Sequence, residues 1–165
     1  MTTNNPYKFL IHAIAFLAMS LGSNARADEG DSRWKLSGGL GIGMLHAGYG
    51  INLAVKNDRN LVFTAVGCGQ SAWLYRCGDQ FSIGYFRSGL IGNRSRRHAF
   101  GLYAGQFERS ETTSHEETRG LGAGYVYFAN GMRAGGLTLG LGYEVGQTDG
   151  RTDHHEFRVQ LGFQF

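Results

Sequence analysis

From Phe157 the chain reads F-R-V-Q-L-G-F-Q-F, so Phe157, Val159, Leu161, Phe163 and Phe165 share one parity while Arg158, Gln160, Gly162 and Gln164 share the other. A helix would scatter these apolar residues around its circumference, whereas a strand gathers them into one wall. The alternation recurs upstream. Trp34, Leu36, Leu40, Ile42 and Met44 oppose Arg33, Lys35, Ser37 and three glycines, and Leu137, Leu139, Leu141, Tyr143 and Val145 oppose Thr138, Gly140, Gly142, Glu144 and Gly146. Leu121, Ala123, Tyr125 and Tyr127 form another such set, as do Tyr49, Ile51, Leu53 and Val55. Segments 61–69, 81–90 and 98–107 are strand-like, but their outward parity is left open. Eight strands are predicted, each of roughly the ten residues that a tilted strand needs to cross a bilayer.

A last strand that alternates in this way and ends in Phe resembles that of the outer-membrane β-barrel class of Gram-negative bacteria. The resemblance implies that Phe157, Val159, Leu161, Phe163 and Phe165 form an assembly signal read by the barrel-assembly machinery. The expected fold is all-β, an eight-stranded antiparallel up-and-down transmembrane β-barrel in the cell outer membrane, with outer-membrane lipid and lipopolysaccharide as its surroundings and a monomer as the expected state. The alternative is a soluble sandwich, in which the apolar face packs on a second sheet. The opposite faces favour the barrel: Arg33, Lys35, Glu144, Arg158 and Gln160 stand among many glycines, a set suited to a narrow polar lumen. An eight-stranded barrel is only wide enough inside for its own side chains, and a glycine leaves room for a long one opposite. An unpaired charge there would cost several kcal/mol. Glu144 and Arg158, on the last two strands, are therefore the expected pair, with Arg33 and Lys35 in the same lumen network.

With both termini in the periplasm, Asn57 to Asn60, Gly92 to Arg97 and Asn130 to Gly136 become periplasmic turns. Outer loops then fall near 45–48, 70–80, 108–118 and 148–153. Aromatic residues near strand ends suggest two interfacial girdles, Trp34, Tyr127, Phe163 and Phe165 on one side and Phe81, Phe107 and Phe157 on the other.

Residues 1–27 have another character. Lys8 precedes a nearly uncharged apolar run from Phe9 to Gly22, and Ala25-Arg26-Ala27 has the small-x-small form of a cleavage site, as in a secretory signal peptide. The run is shorter than the roughly 20 residues of a membrane-spanning helix. Cleavage after Ala27 would leave residues 28–165. Lys8 and Arg26 would go with the signal while all 13 acidic residues stay, so the formal charge falls from +3 to +1. That near-neutral balance gives no support for nucleic-acid binding. The one proline, Pro6, also lies in the signal, and its absence elsewhere suits a chain of hydrogen-bonded strands. A mean hydropathy of −0.25 does not exclude a membrane barrel, because alternation averages an apolar face with a polar one.

Cys68 and Cys77 remain in a chain bound for an oxidising compartment, where an even pair suggests a disulfide closing a short loop. Two free core cysteines are the alternative. Candidate chemistry is sparse. Ser114-His115-Glu116 and Asp153-His154-His155-Glu156 supply hydrolase residue types, and small barrels of the resembled class include lipid A deacylases and palmitoyltransferases. Adjacent strand residues face opposite ways, however, and no His has a Ser two positions later, as the deacylase pattern requires. Asp149, Asp153, His154 and Glu156 lack metal-ligand spacing, and Gly38-x-x-Gly41 lacks the strand-to-helix setting of a phosphate loop. Arg94, Arg96 and Arg97 read as a solvated charge run in a periplasmic turn. The sequence thus points to no cofactor and no metal, and to a non-enzymatic structural or surface-interaction role for the outer loops, with an outer-leaflet lipid-modifying enzyme and a narrow channel as alternatives.

Overall fold

The computed structural model describes residues 33–68, 77–91, 96–110, 115–148 and 151–165, with side chains placed except at 77–79, 107–110, 115–117, 148 and 151–154. The expected signal peptide lies outside the described residues, as do 70–76, 111–114 and 149–150 of the three longer expected outer loops; the remaining residues of those loops are strand, because the strands run further than their alternation shows. The strands are β1 (Lys35–Gly43), β2 (Gly48–Lys56), β3 (Asn60–Cys68), β4 (Cys77–Ser88), β5 (His98–Ser110), β6 (His115–Phe128), β7 (Gly136–Thr148) and β8 (Arg151–Gln164). Each pairs antiparallel with its sequence neighbours, and β8 returns to β1, giving a closed up-and-down barrel in the order β1 to β8.

Closure is asymmetric. The β1–β8 seam runs from Gly39↔Gln164 to Ile42↔Leu161, whereas β7 and β8 pair from Gly136↔Gln164 to Thr148↔Arg151, with one register shift between Gly146 and Gln147. At the end holding the start of β1 and the finish of β8, here the terminal end, the seam is clasped further. Phe165 N–H donates to the Gly38 carbonyl at 2.8 Å, and the Ser37 hydroxyl donates to a main-chain carboxylate oxygen of Phe165 at 2.7 Å.

Turns at the terminal end are tied by their own side chains. The Asn57 Oδ1 accepts from the backbone N–H groups of Arg59 and Asn60, the Asx arrangement that makes Asn a turn former. Gly131 (φ 87) and Gly136 (φ 142) give the 129–135 connection the positive φ that a side chain would resist. Its Met132 N–H donates to the Arg96 carbonyl, and Met132 is fully buried.

At the far end, the connection between β1 and β2 departs from expectation. The alternation predicts an outer loop over 45–48, but Met44–His46 form a single 3-10 turn that folds inward, and Met44, Leu45, His46 and Ala47 are all buried. Ala47 takes the left-handed conformation (φ 50), and Gly43 (φ 108) and Gly48 (φ 84) flank the turn. Three strands satisfy its backbone. Leu45 N–H donates to Gln160 Oε1 at 3.0 Å, Asn52 Nδ2 donates to the Leu45 carbonyl at 2.9 Å, and the Ser82 hydroxyl donates to the Met44 carbonyl at 3.1 Å. Burial of Met44 and Leu45 favours the inward path, and these hydrogen bonds remove its polar cost.

The wall follows the period-two rule. Leu36, Leu40, Ile51, Leu53, Val66, Leu102, Leu141, Val159 and Leu161 are exposed outside, while Ser37, Asn52, Ala65, Tyr103, Glu144, Arg158 and Gln160 are buried inside. The three strands with open parity are settled: Leu61, Phe63, Phe86, Ala99 and Tyr103 point inward. The lumen is therefore not polar throughout, as the expectation had it. Its β3–β6 side is largely apolar, with Phe63 and Phe86 in ring contact at 6.1 Å.

Candidate functional site

The centre of the lumen is an ion pair. Opposite Arg158 in register stands Gly142, and opposite Glu144 stands Glu156, so the guanidinium lies one step along the ladder from two carboxylates. Arg158 Nε donates to Glu144 Oε1 at 2.7 Å and Arg158 Nη2 donates to Glu156 Oε2 at 3.2 Å. Glu144 is fully buried and Arg158 nearly so. The Tyr103 hydroxyl reaches over Gly122 of β6 from β5 and donates to Glu144 Oε2 at 3.4 Å. A buried carboxylate is tolerable only with such partners.

Glycine makes the room for this group. A methyl on Gly122 would overlap the Tyr103 ring, and one on Gly124 would overlap the Met44 sulfur. The inward turn occupies the remaining space, with Gln160 Nε2 3.1 Å from His46 Nδ1 and 3.4 Å from Thr138 Oγ1. His46 Nε2, Asn52 Oδ1 and Gln164 Nε2 are buried without a protein partner, polar points suited to single waters. Among the described residues these side chains pack against one another inside the barrel.

Arg33 and Lys35, expected in the same network, stand elsewhere along the barrel. Both are exposed at the terminal end, because β1 reaches that mouth where it starts. Lys35 instead borders a cavity of about 600 Å³ with Asp58, Arg96, Arg97, Asn130, Met132, Arg133 and Ala134. Arg96 pairs with Asp58, and Arg133 Nη1 lies 3.7 Å from the other Asp58 oxygen. Beside them, the buried Lys56 donates from Nζ to the Ala134 carbonyl at 3.3 Å. Sequence reasoning found Arg96 and Arg97 but not Lys35 or Arg133 as their neighbours. No local pattern joins residues so far apart; barrel topology does.

Arg94 and the Ser114 position lie outside the described residues, as do the side chains of Phe107, His115, Glu116, Asp153 and His154, and position 149. His155 and Glu156 are separated by the wall: His155 is exposed outside, with Nδ1 3.0 Å from the Tyr143 hydroxyl, while Glu156 meets Arg158 inside. Among the described residues, no three His, Cys, Asp or Glu side chains are grouped to hold a metal ion. Cys68 and Cys77 are register partners across β3 and β4, beside a register shift at Gly67/Cys68.

The outer wall carries the aromatic clusters. At the terminal end, Phe163 and Phe165 have ring centroids 5.6 Å apart and His98 and Tyr127 5.2 Å; towards the far end Tyr143 and Phe157 lie 4.9 Å apart. Phe157, Val159, Leu161, Phe163 and Phe165 are all exposed on one face of β8. Compared with protein-family models, curated proteins and solved structures, the chain matches none.

Proposed function

We propose that the protein is a small integral outer-membrane β-barrel, made with a signal peptide covering residues 1–27 and assembled through its β8 signal by the barrel-assembly machinery. One observation carries the reading: the barrel's outside is an apolar wall. Leu36 is 72% exposed, Val159 66% and Phe157 80%, and similar residues stand around the circumference. Soluble monomers rarely leave contiguous apolar patches larger than a few hundred Å². On β7 the outward apolar residues run from Leu137 to Val145, about 27 Å along the strand by its rise per residue. At a tilt of about 40° this gives roughly 21 Å of height, close to the apolar band of such barrels.

The role is structural or surface-interacting and non-enzymatic, carried by connections on a rigid scaffold. The termini lie on the periplasmic side, and Cys68 and Cys77 form a disulfide at the outer side, a reading supported by their register and the oxidising compartment. Peptide mapping should recover the two cysteines in one linked species until reductant is added. The broader test is fractionation. The mature chain should stay with the outer-membrane pellet through an alkaline wash and enter solution only with detergent; release into the soluble fraction without detergent would overturn the proposal.

A further inference from the structure

We infer that the cavity at the terminal end is a binding site for the phosphodiester headgroup of an anionic phospholipid in the inner leaflet. The inference rests on the membrane reading above. Lys35, Arg96, Arg97 and Arg133 border the cavity with Asp58 as the acidic member of its lining. Asp58 is shared by Arg96 and Arg133, so the lining keeps a cationic excess even after that pairing. Guanidinium groups match phosphate oxygens with paired donors, and an ammonium adds a point charge.

Position selects a lipid over a free solute. Lys35 directly follows the exposed Trp34, and Arg97 precedes His98, whose ring packs on Tyr127 in the outer wall. The cations thus stand at the depth of the aromatic residues, where amphipathic rings meet lipid headgroups. Exposed Leu90 and Ile91, in the same connection as Arg96 and Arg97, add apolar surface at this end. A lipid could place its phosphate in the cavity and its acyl chains against the wall.

Native mass spectrometry of the mature chain, released from non-ionic detergent with equal amounts of phosphatidylglycerol and phosphatidylcholine, tests this. Phosphatidylglycerol should be retained about tenfold over phosphatidylcholine, the scale expected for a few interfacial cations. The double variant Lys35→Gln/Arg97→Gln should lose that preference and Arg119→Gln should keep it. Lys35 and Arg97 are both exposed, so the double variant should keep the heat-modifiable gel migration of the folded barrel. Equal retention of the two lipids, or a preference surviving in the double variant, would overturn the inference. Displacement of the lipid by millimolar glycerol 3-phosphate would also overturn it, by assigning the cavity to soluble phosphate esters. A chain that stays in solution without detergent fails the membrane reading before any lipid is added, so the two failures are distinguishable.

Discussion

Glu144 and Arg158 meet at 2.7 Å inside the barrel, from adjacent strands, with Glu144 wholly removed from solvent. Removing Glu144 would take the buried carboxylate from the nearly buried Arg158 and leave the partly exposed Glu156 as the charge it meets at 3.2 Å, a broken buried pair. Glu144→Ala should therefore destabilise the barrel by about 3–5 kcal/mol. Replacing both as Glu144→Leu/Arg158→Met should cost clearly less than the single change, because neither charge of the buried pair is left behind, even though Glu156 and the Tyr103 hydroxyl each lose a partner. Urea unfolding of the protein in lipid vesicles, followed by tryptophan fluorescence, measures both. A double variant as unstable as the single one would show that the pair contributes more than the satisfaction of its own charges.

The seats of the large lumen side chains give a second expectation. Gly122→Ala would drive a methyl into the Tyr103 ring, whereas a methyl at Gly38, on the outer wall, would meet Phe165 at 3.6 Å, an ordinary contact. Overpacking of this kind costs about 1–3 kcal/mol. The same unfolding assay should separate the two variants by at least that lower figure. Equal stability would mean that Tyr103 can leave its place without loss.

Function as a conduit is tested through the inward turn. With Met44, Leu45 and His46 packed in the lumen, the native protein should give a quiet planar bilayer at high protein load. Replacing these three residues by Gly removes the share of the filling that the inward turn supplies and should produce discrete conductance steps. Steps from the native protein would contradict the packed interior.

Much of this architecture was legible because alternation is a strong signal when one face is apolar and the other is not. The sets at 137–145 and 157–165 carry Gly, Thr, Glu, Arg or Gln on the inner face, and their orientation could be read directly. Around Leu61, Phe63, Phe86 and Tyr103 both faces are apolar, because that side of the lumen is packed like a core. Period two then marks a strand but cannot say which face is outside. The inward turn was illegible for a different reason: Met44 continues the outward parity of β1, and its reversal depends on positive φ at Gly43 and on acceptors and donors from β2 and from the more distant β4 and β8. The grouping of Lys35 and Arg133 with Arg96 is set by closure of the sheet, so no sequence window contains it.

The central claim, that the apolar wall faces lipid, is tested most directly by nitroxide accessibility. Single-cysteine variants at Leu141, Val159 and Leu53, on a background with Cys68 and Cys77 replaced by Ser, would be labelled and reconstituted in vesicles. The account predicts that these labels relax with molecular oxygen and are shielded from a water-soluble nickel chelate, as expected for sites in hydrocarbon. Strong relaxation by the nickel chelate at all three positions would place the wall in water and contradict the account.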